Sequence, residues 1–298
     1  YSADVHGNQI TGERLRCISR IINHSSTGEG VLTVVTTMDG IADRLIPVER
    51  FKEAVITLDY SSEIEPEKLA KKLVAMGFVR TGMVEDKGQF AIRGGIIDIF
   101  SYTDEAPVRI ELWDTEVDSI RMFDVESQRS IERLQSYSIF PATEYIFTED
   151  ELKNGLYNIK KECDRQLECF DYGKRKRTKE QIEAGNNLNK LVADVERTGN
   201  YEKFTDTIVA DTVGLAEYFP EENTLVVLDE PNRLKECNEL TLYEYNESMK
   251  NRLAAGYVLP SQTNKVKAMN EIIGDLRNNK KLILTTLDYK PEGFEIDY

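Results

Sequence analysis

Four cysteines and two histidines are all that 298 residues offer to soft-metal or redox chemistry. Cys17, Cys163, Cys169 and Cys237 show no Cys-x-x-Cys spacing, and His6 and His24 supply no matching pair. The pattern argues against a zinc site and a disulfide framework and reads as reduced thiols in a cytoplasm. No apolar run approaches the ~20 residues that a membrane span requires. No secretory leader opens the chain; it starts at Tyr1 rather than Met and reads as part of something longer. A phosphate-binding loop is missing as well. Such a loop needs Gly-x-x-x-x-Gly-Lys-Ser/Thr, so that backbone N–H groups and a lysine cradle phosphate. Gly28-Glu-Gly30 has neither the lysine nor the spacing. Positive charge is also scarce: 38 Lys and Arg stand against 53 Asp and Glu, for a net charge of −15. Nucleic-acid binding needs a basic footprint, so these residues are not expected to have nucleic acid as their main partner.

Hydrophobic residues make up 40% of the chain, enough for real cores in one large or two ordinary domains. The densest strand signal lies between Glu85 and Phe123. Phe90 and Ile92 alternate with polar or small neighbours, Gly94-Gly95 interrupts, and Ile97 and Ile99 resume. Paired glycines inside a strand pattern suggest a bulge or a close backbone approach. The next run alternates more cleanly: Val108, Ile110 and Leu112 face one way, and Arg109, Glu111 and Trp113 the other. With the aliphatic side in the core, Arg109, Glu111 and Trp113 form an outward row. Asp114-Thr115-Glu116 then reads as a turn into a strand from Val117 to Phe123, giving a β-meander. Trp and Arg are enriched at the energetic centres of protein interfaces. The blander alternative packs Trp113, the only tryptophan, under a neighbouring helix and leaves Arg109 a solvated charge. The surround is acidic: 12 acidic and 6 basic side chains lie between Glu85 and Arg133. A docking site there is a local cluster of arginines suited to a protein partner.

Elsewhere the pattern alternates helix and strand. Residues 1 to 8 read as a loop, and the spacing of Cys17, Ile18, Ile21 and Ile22 predicts an amphipathic helix. Ser25 to Gly30 reads as a loop, and the β-branched run Val31–Thr36 as a buried parallel strand. A short helix, Ile41–Leu45, stops before Pro47, and Ala54–Leu58 is a strand. Glu65-Pro66 opens a helix carried by Leu69 and Leu73 and ended by Gly77. Ser138–Ala142 reads as a strand returning to the α/β part. Thr148-Glu-Asp-Glu151 is a capping-box start to a helical stretch reaching Leu191. Lys174-Arg-Lys-Arg177 within it is more simply a solvated basic face than a nucleic-acid contact. Ile208–Phe219 suggests helical packing. Asn264–Arg277 is an amphipathic helix, and Lys281–Thr286 a final buried strand. Thr224-Leu-Val-Val-Leu-Asp229-Glu230 has the form of a Walker-B strand, whose carboxylates hold Mg²⁺ in P-loop ATPases. Without a phosphate loop, Asp229 and Glu230 are a relic of such a fold, or strand-end acids capping the next helix. The expected architecture is therefore α/β. A parallel-sheet, degenerate P-loop domain comes from residues 1–58 and 139–298, and an α+β insert with an antiparallel sheet from 59–138.

Gly88-Gln-Phe-Ala-Ile-Arg93-Gly-Gly-Ile-Ile-Asp98-Ile-Phe resembles the UvrB-like module of bacterial transcription-repair coupling factors (Mfd). So do Arg109-Ile-Glu-Leu-Trp-Asp114-Thr-Glu-Val-Asp118-Ser-Ile-Arg121 and Phe123-Asp124 with Ser127-Gln128-Arg129-Ser130. The Arg93 segment is shared with UvrB itself, whereas the Asp118–Arg121 and Ser127–Ser130 segments lean towards the coupling factors. The resemblance implies a bacterial cytoplasmic repair module whose insert docks the excision-repair protein UvrA. It maps the contact onto Arg93, Arg109 and Trp113, with Glu111 and Arg121 as weaker candidates. It implies no cofactor in this stretch; ATP and Mg²⁺ belong to the motor of the parent protein. RNA polymerase and double-stranded DNA are met only through parts of the parent outside this chain. The competing expectation is a fragment of an ATP-dependent UvrB-type helicase. Against it stand the missing loop and Tyr1–Ile10, which holds a single aromatic where UvrB carries an aromatic-rich hairpin. A third reading, a structural clamp on the parent's motor, is compatible with the first.

Overall fold

The computed structural model describes residues 8–28, 30–171, 176–209 and 211–286. In chain order its helices are α1 (Asn8–Thr27), α2 (Met38–Ala42), α3 (Val48–Ala54), α4 (Pro66–Ala75), α5 (Glu149–Phe170), α6 (Lys179–Thr198), α7 (Thr205–Ile208), α8 (Pro231–Ala254) and α9 (Met269–Asp275). Its strands are β1 (Ile56–Asp59), β2 (Val79–Arg80), β3 (Gln89–Arg93), β4 (Ile96–Phe100), β5 (Val108–Trp113), β6 (Glu116–Phe123), β7 (Ser130–Arg133), β8 (Ser136–Ile139), β9 (Leu225–Asp229) and β10 (Lys280–Leu284). The fold is mixed α/β, with mainly antiparallel pairing and two parallel pairs, β2 with β3 and β9 with β10. It divides into two compact units. One takes Ser2–Leu32 with Val48–Ile146, the other Thr33–Pro47 with the chain from Phe147 onward.

The first unit is built on a six-stranded sheet in the order β2-β3-β4-β5-β6-β7. From β3 onward every neighbouring pair is antiparallel. Gly94-Gly95, expected as a bulge within one strand, is instead the two-residue turn between β3 and β4. Gly94 sits at φ +62, and glycine at positive φ in the first turn position is what a tight hairpin of this kind requires. The expected close approach is real at Gly95, where an added Cβ would meet the Leu112 carbonyl oxygen at 2.9 Å. One face of the sheet packs on α4. Leu69, Ala70 and Leu73 of that helix share a core with Phe90, Ile97, Ile99, Val108, Ile110 and Ile120. Each such side chain fully withdrawn from water contributes roughly 2 kcal/mol. Pro66 opens α4, and Gly77 at φ +88 ends it, with Phe78 N–H donating to the Leu73 carbonyl.

β1 and β8, expected as strands of the parallel α/β part, pair with each other antiparallel in this unit. Leu58, Tyr137 and Ile139 lie in the same core as the sheet. The units therefore part at 32/33, 47/48 and 146/147 rather than at 58/59 and 138/139, and α1 falls with the insert. The physical reason is non-local: periodicity identifies a strand, but its partner lies about eighty residues away.

The second unit is mainly helical. The helical stretch after Thr148 is two helices rather than one, each opened by a capping box: Thr148 with Glu151 and Thr178 with Gln181. Gly199, left-handed at φ +64, ends the second. Ile159, Cys163, Leu188, Val195, Phe204 and Leu259 form their core. Of the Lys174–Arg177 cluster, residues 174 and 175 lie outside the described residues, as do residues 1–7 of the expected first loop. Arg177 pairs with Asp171 at 2.5 Å. The 208–219 segment, Ala210 aside, holds the end of α7 and a 3-10 turn at Leu215–Tyr218. The expected strand Val31–Thr36 is not one: residues 31–37 carry no strand, and Val31 and Val35 are exposed. β-branched propensity cannot supply a pairing partner. β10 is half-exposed rather than buried, with Leu282 and Leu284 facing outward beside Leu225 and Val227 of β9. Among the described residues no helix is long and apolar enough to cross a membrane.

The close approach at Gly95 gives a stability test. Gly95→Ala is expected to lower the unfolding free energy by more than about 1 kcal/mol, since backbone rather than a flexible side chain stands in the way. Gly82→Ala, at a position with open space around it, is the control. Urea titration of both variants checks the difference.

Candidate functional site

Strand register brings the site together. Ala91, Asp98, Arg109, Arg121 and Arg133 are successive cross-strand partners on β3, β4, β5, β6 and β7. Arg93, Ile96, Glu111 and Ser119 form the next row. Side chains two residues apart on a strand share a face, so both rows lie on the sheet face opposite α4. Like charges directly opposite one another destabilise a sheet. Arg109, Arg121 and Arg133 stand in that relation, and carboxylates interleave to offset it.

The centre is Asp98, only 1% exposed. Arg109 Nε donates to its Oδ1 at 2.6 Å and Arg109 Nη2 to its Oδ2 at 2.8 Å, a two-pronged guanidinium–carboxylate pair. Arg93 Nη2 donates to the same Oδ2 at 2.5 Å. Gln128 Oε1 accepts a further bond from Arg109 Nη2 at 2.8 Å, and the Arg109 guanidinium lies 4.3 Å from the centre of the Phe123 ring. The hydrogen bond from Arg109 to Asp98 is the main cause holding the arginine's pKa above its ordinary value. A second group lies alongside: Glu111 accepts from Arg121 with one oxygen and from the Ser119 hydroxyl at 2.7 Å with the other.

Trp113 ends β5 and is 79% exposed, so it is not covered by a helix. Asp114, at φ +58, turns the chain directly behind it. The expected alternation on β5 holds: Val108 and Ile110 are buried in the core, Leu112 packs against it, and Arg109, Glu111 and Trp113 face the other side. The arginines differ in a way alternation does not show. The Arg93 side chain is 42% exposed and that of Arg109 only 12%. Arg109 is thus less an outward charge than a buried anchor. Sequence reasoning gave no role to Asp98, Gln128 or Phe123. The available signal was an acid flanked by isoleucines, Ile97-Asp98-Ile99, which a buried strand tolerates only with cationic partners.

Asp229 and Glu230 lie in the other unit, at the end of β9. Asp229 is exposed. Glu230, at φ +50, is the N-cap residue of α8 but makes no side-chain cap bond. Its carboxylate instead accepts the Thr286 backbone N–H at 2.6 Å and the Thr286 hydroxyl. The second acid of the Walker-B-like pattern therefore ties the ends of two parallel strands together. Among the described residues no group of three or more His, Cys, Asp or Glu side chains is arranged to hold a metal ion.

Arg109→Ala would leave the Asp98 carboxylate buried with half its partners gone. Removing one partner of a buried pair costs roughly 3 kcal/mol. Arg109→Ala is accordingly expected to lower stability much more than Arg93→Ala, whose side chain is half in water, and thermal melts of the two variants check the order. Equal melting shifts would contradict the anchoring role.

Residues 56–145 match the family model described as UvrB interaction domain, a range that falls within the first unit. Over 260 residues the chain is 36% identical to a transcription-repair-coupling factor of Bacillus subtilis (strain 168), covering 84% of this chain and 21% of that protein. Proteins of the same description from Staphylococcus epidermidis and Staphylococcus aureus (strain Mu50) are 33% and 32% identical over 248 residues, each covering 83% of this chain and 20% of the relative. The chain spans about a fifth of the length of the curated relatives it matches.

Proposed function

We propose, from the premise that this chain carries a UvrB interaction domain and is homologous to part of the transcription-repair-coupling factors, that it is an interaction module that recruits UvrA. The observation that carries the reading is the exposed Trp113 on the same sheet face as Arg93 and its buried carboxylate. A large flat side chain left in water beside an ordered guanidinium is the composition of an interface centre rather than of ordinary surface. The surround is acidic, so the arginines are the local exception, suited to a protein partner with carboxylates. Trp113 and Arg93 make the contact in this reading. Arg109, Glu111 and Arg121 are paired within the sheet and shape the surface.

The rest of the reading concerns the parent protein. The second unit is a degenerate copy of a helicase-like α/β domain, with Asp229 and Glu230 kept for structure. This stretch uses no nucleotide and catalyses no reaction; ATP and Mg²⁺ serve a motor elsewhere in the parent. RNA polymerase and double-stranded DNA are engaged there too, in a bacterial cytoplasm, so that UvrA is delivered to stalled transcription. The competing reading, a fragment of an ATP-dependent UvrB-type helicase, is weakened by the missing phosphate loop and by the engagement of Glu230 with Thr286.

Binding to purified UvrA tests the proposal. Trp113→Ala and Arg93→Ala are each expected to weaken binding by about 2 kcal/mol, roughly 30-fold. Trp113→Ala should leave the melting temperature near the wild-type value, because its side chain is largely in water, and Arg93→Ala should lower it less than Arg109→Ala does. A well-folded wild-type chain that does not bind UvrA would overturn the docking reading.

A further inference from the structure

We propose that Asp98 and Gln128 are positioning residues of the docking face, acting through the two arginines they hold. The inference rests on the docking reading and deepens it. An isolated guanidinium on a flexible stem gives up rotamer freedom when it binds, and a held one has already lost it. Asp98 is the holder. Its Oδ2 accepts from Arg93 at 2.5 Å and from Arg109 at 2.8 Å, so one buried atom fixes the spacing of two cations. Gln128 closes the other side of Arg109 at 2.8 Å.

Gln128 is itself held. It sits at φ +57 in the turn between β6 and β7. Its side-chain Nε2 donates to the Val125 carbonyl at 2.8 Å. Asp124 Oδ1 braces the turn by accepting the Ser127 backbone N–H at 2.8 Å and the Ser127 hydroxyl at 2.6 Å. The Asp124–Gln128 turn thus delivers an amide oxygen to one arginine of the sheet face.

The two arginines consequently have different jobs. Arg109 spends Nε and Nη2 on Asp98 and Gln128, stacks on Phe123 and is nearly buried. Arg93 spends Nη2 alone; among the described residues its Nε and Nη1 make no hydrogen bond, and its side chain is 42% exposed. Arg93 therefore keeps unused N–H donors, on a guanidinium aimed by Asp98, for a carboxylate of the partner. Arg109 holds the Asp98 carboxylate in place. The partner surface that fits has an acidic side chain next to an apolar notch for the Trp113 indole.

The experiment measures UvrA binding by the full chain for wild type, Asp98→Asn, Arg93→Ala and the double variant. Asp98→Asn is expected to weaken binding about tenfold, and to add much less than that once Arg93 is already alanine. A merely structural role predicts independent, additive losses, and additivity in folded variants overturns the proposal. So does wild-type affinity in a folded Asp98→Asn chain. If Asp98→Asn does not fold, Gln128→Gly decides. Glycine takes a positive φ without strain, so the turn's backbone conformation is kept while the amide's bonds to Arg109 and to the Val125 carbonyl are lost. A roughly threefold loss of affinity supports the proposal and an unchanged affinity overturns it. A readout without UvrA separates this inference from the docking reading. In the wild type, the Arg109 Nε–H resonance should resist solvent exchange at neutral pH. A freely exchanging Nε–H overturns the positioning role even if UvrA binds. A protected Nε–H in a chain that does not bind UvrA places the failure in the docking reading.

Discussion

A carboxylate with 1% of its surface in water is the constraint on which the first unit's functional face depends. Asp98 sits between Ile97 and Ile99, both fully withdrawn into the α4 side of the sheet. A charge there is costly unless paired and hydrogen-bonded. The pairing fixes register. A one-residue slip of β4 would turn Asp98 into the aliphatic core and Ile97 towards the arginines. The hairpin turn at Gly94-Gly95, the pairing of Asp98 with Arg109 across β4 and β5, and the bracing of Arg109 by Gln128 all specify the same register. Burial of the isoleucines supplies most of the stabilisation of this sheet. The buried ion pair contributes less to stability than to the choice of one arrangement.

How much of this was legible in the sequence depends on whether a feature is local. The alternation from Val108 to Trp113 assigned both faces of β5, because a period of two is a property of six neighbouring residues. The start and stop of α4 were legible at Pro66 and Gly77 for the same reason, as was the capping box at Thr148. Pairing was not. The expected strands Ala54–Leu58 and Ser138–Ala142 overlap the observed Ile56–Asp59 and Ser136–Ile139, the second at two residues only, and which strand each adopts is decided by the shared core of Leu58, Tyr137 and Ile139. Val31–Thr36 has strand composition without a partner strand among the described residues, and composition alone leaves it unpaired. In the site, the row of Arg109, Glu111 and Trp113 was legible, whereas the depth of each side chain was not. Arg109 and Arg93 are the same residue type with similar neighbours. What separates them is that Arg109 stands directly across from Asp98 on the next strand, a fact of register.

The same distinction governs the acids of the second unit. Asp229-Glu230 after four apolar residues is a local pattern, and it correctly marks the end of a parallel strand followed by a helix. What the carboxylate does is set by Thr286, fifty-six residues on, whose backbone N–H and hydroxyl it accepts. A strand-end glutamate already engaged by two donors from the adjoining strand is committed to holding β9 and β10 in step.

Charge completes the picture of the first unit. A chain of net charge −15 repels acidic partners at long range, and within a Debye length of about 8 Å at physiological salt only the local arrangement matters. On the sheet face, Arg121 is answered by Glu111 and Arg109 by Asp98, so the cations that remain available to a partner are those on the margin, Arg93 above all. An acidic surround with one prepared guanidinium beside one exposed indole discriminates in two ways at once. In the docking proposed above, a partner whose carboxylates fall anywhere but opposite Arg93 is rejected, and the burial of Trp113 is gained only when that alignment is met. Specificity of this kind comes from where the attraction is withheld as much as from where it is offered, and it follows from holding Arg109 and Arg121 in pairs within the sheet while Arg93 stays partly exposed.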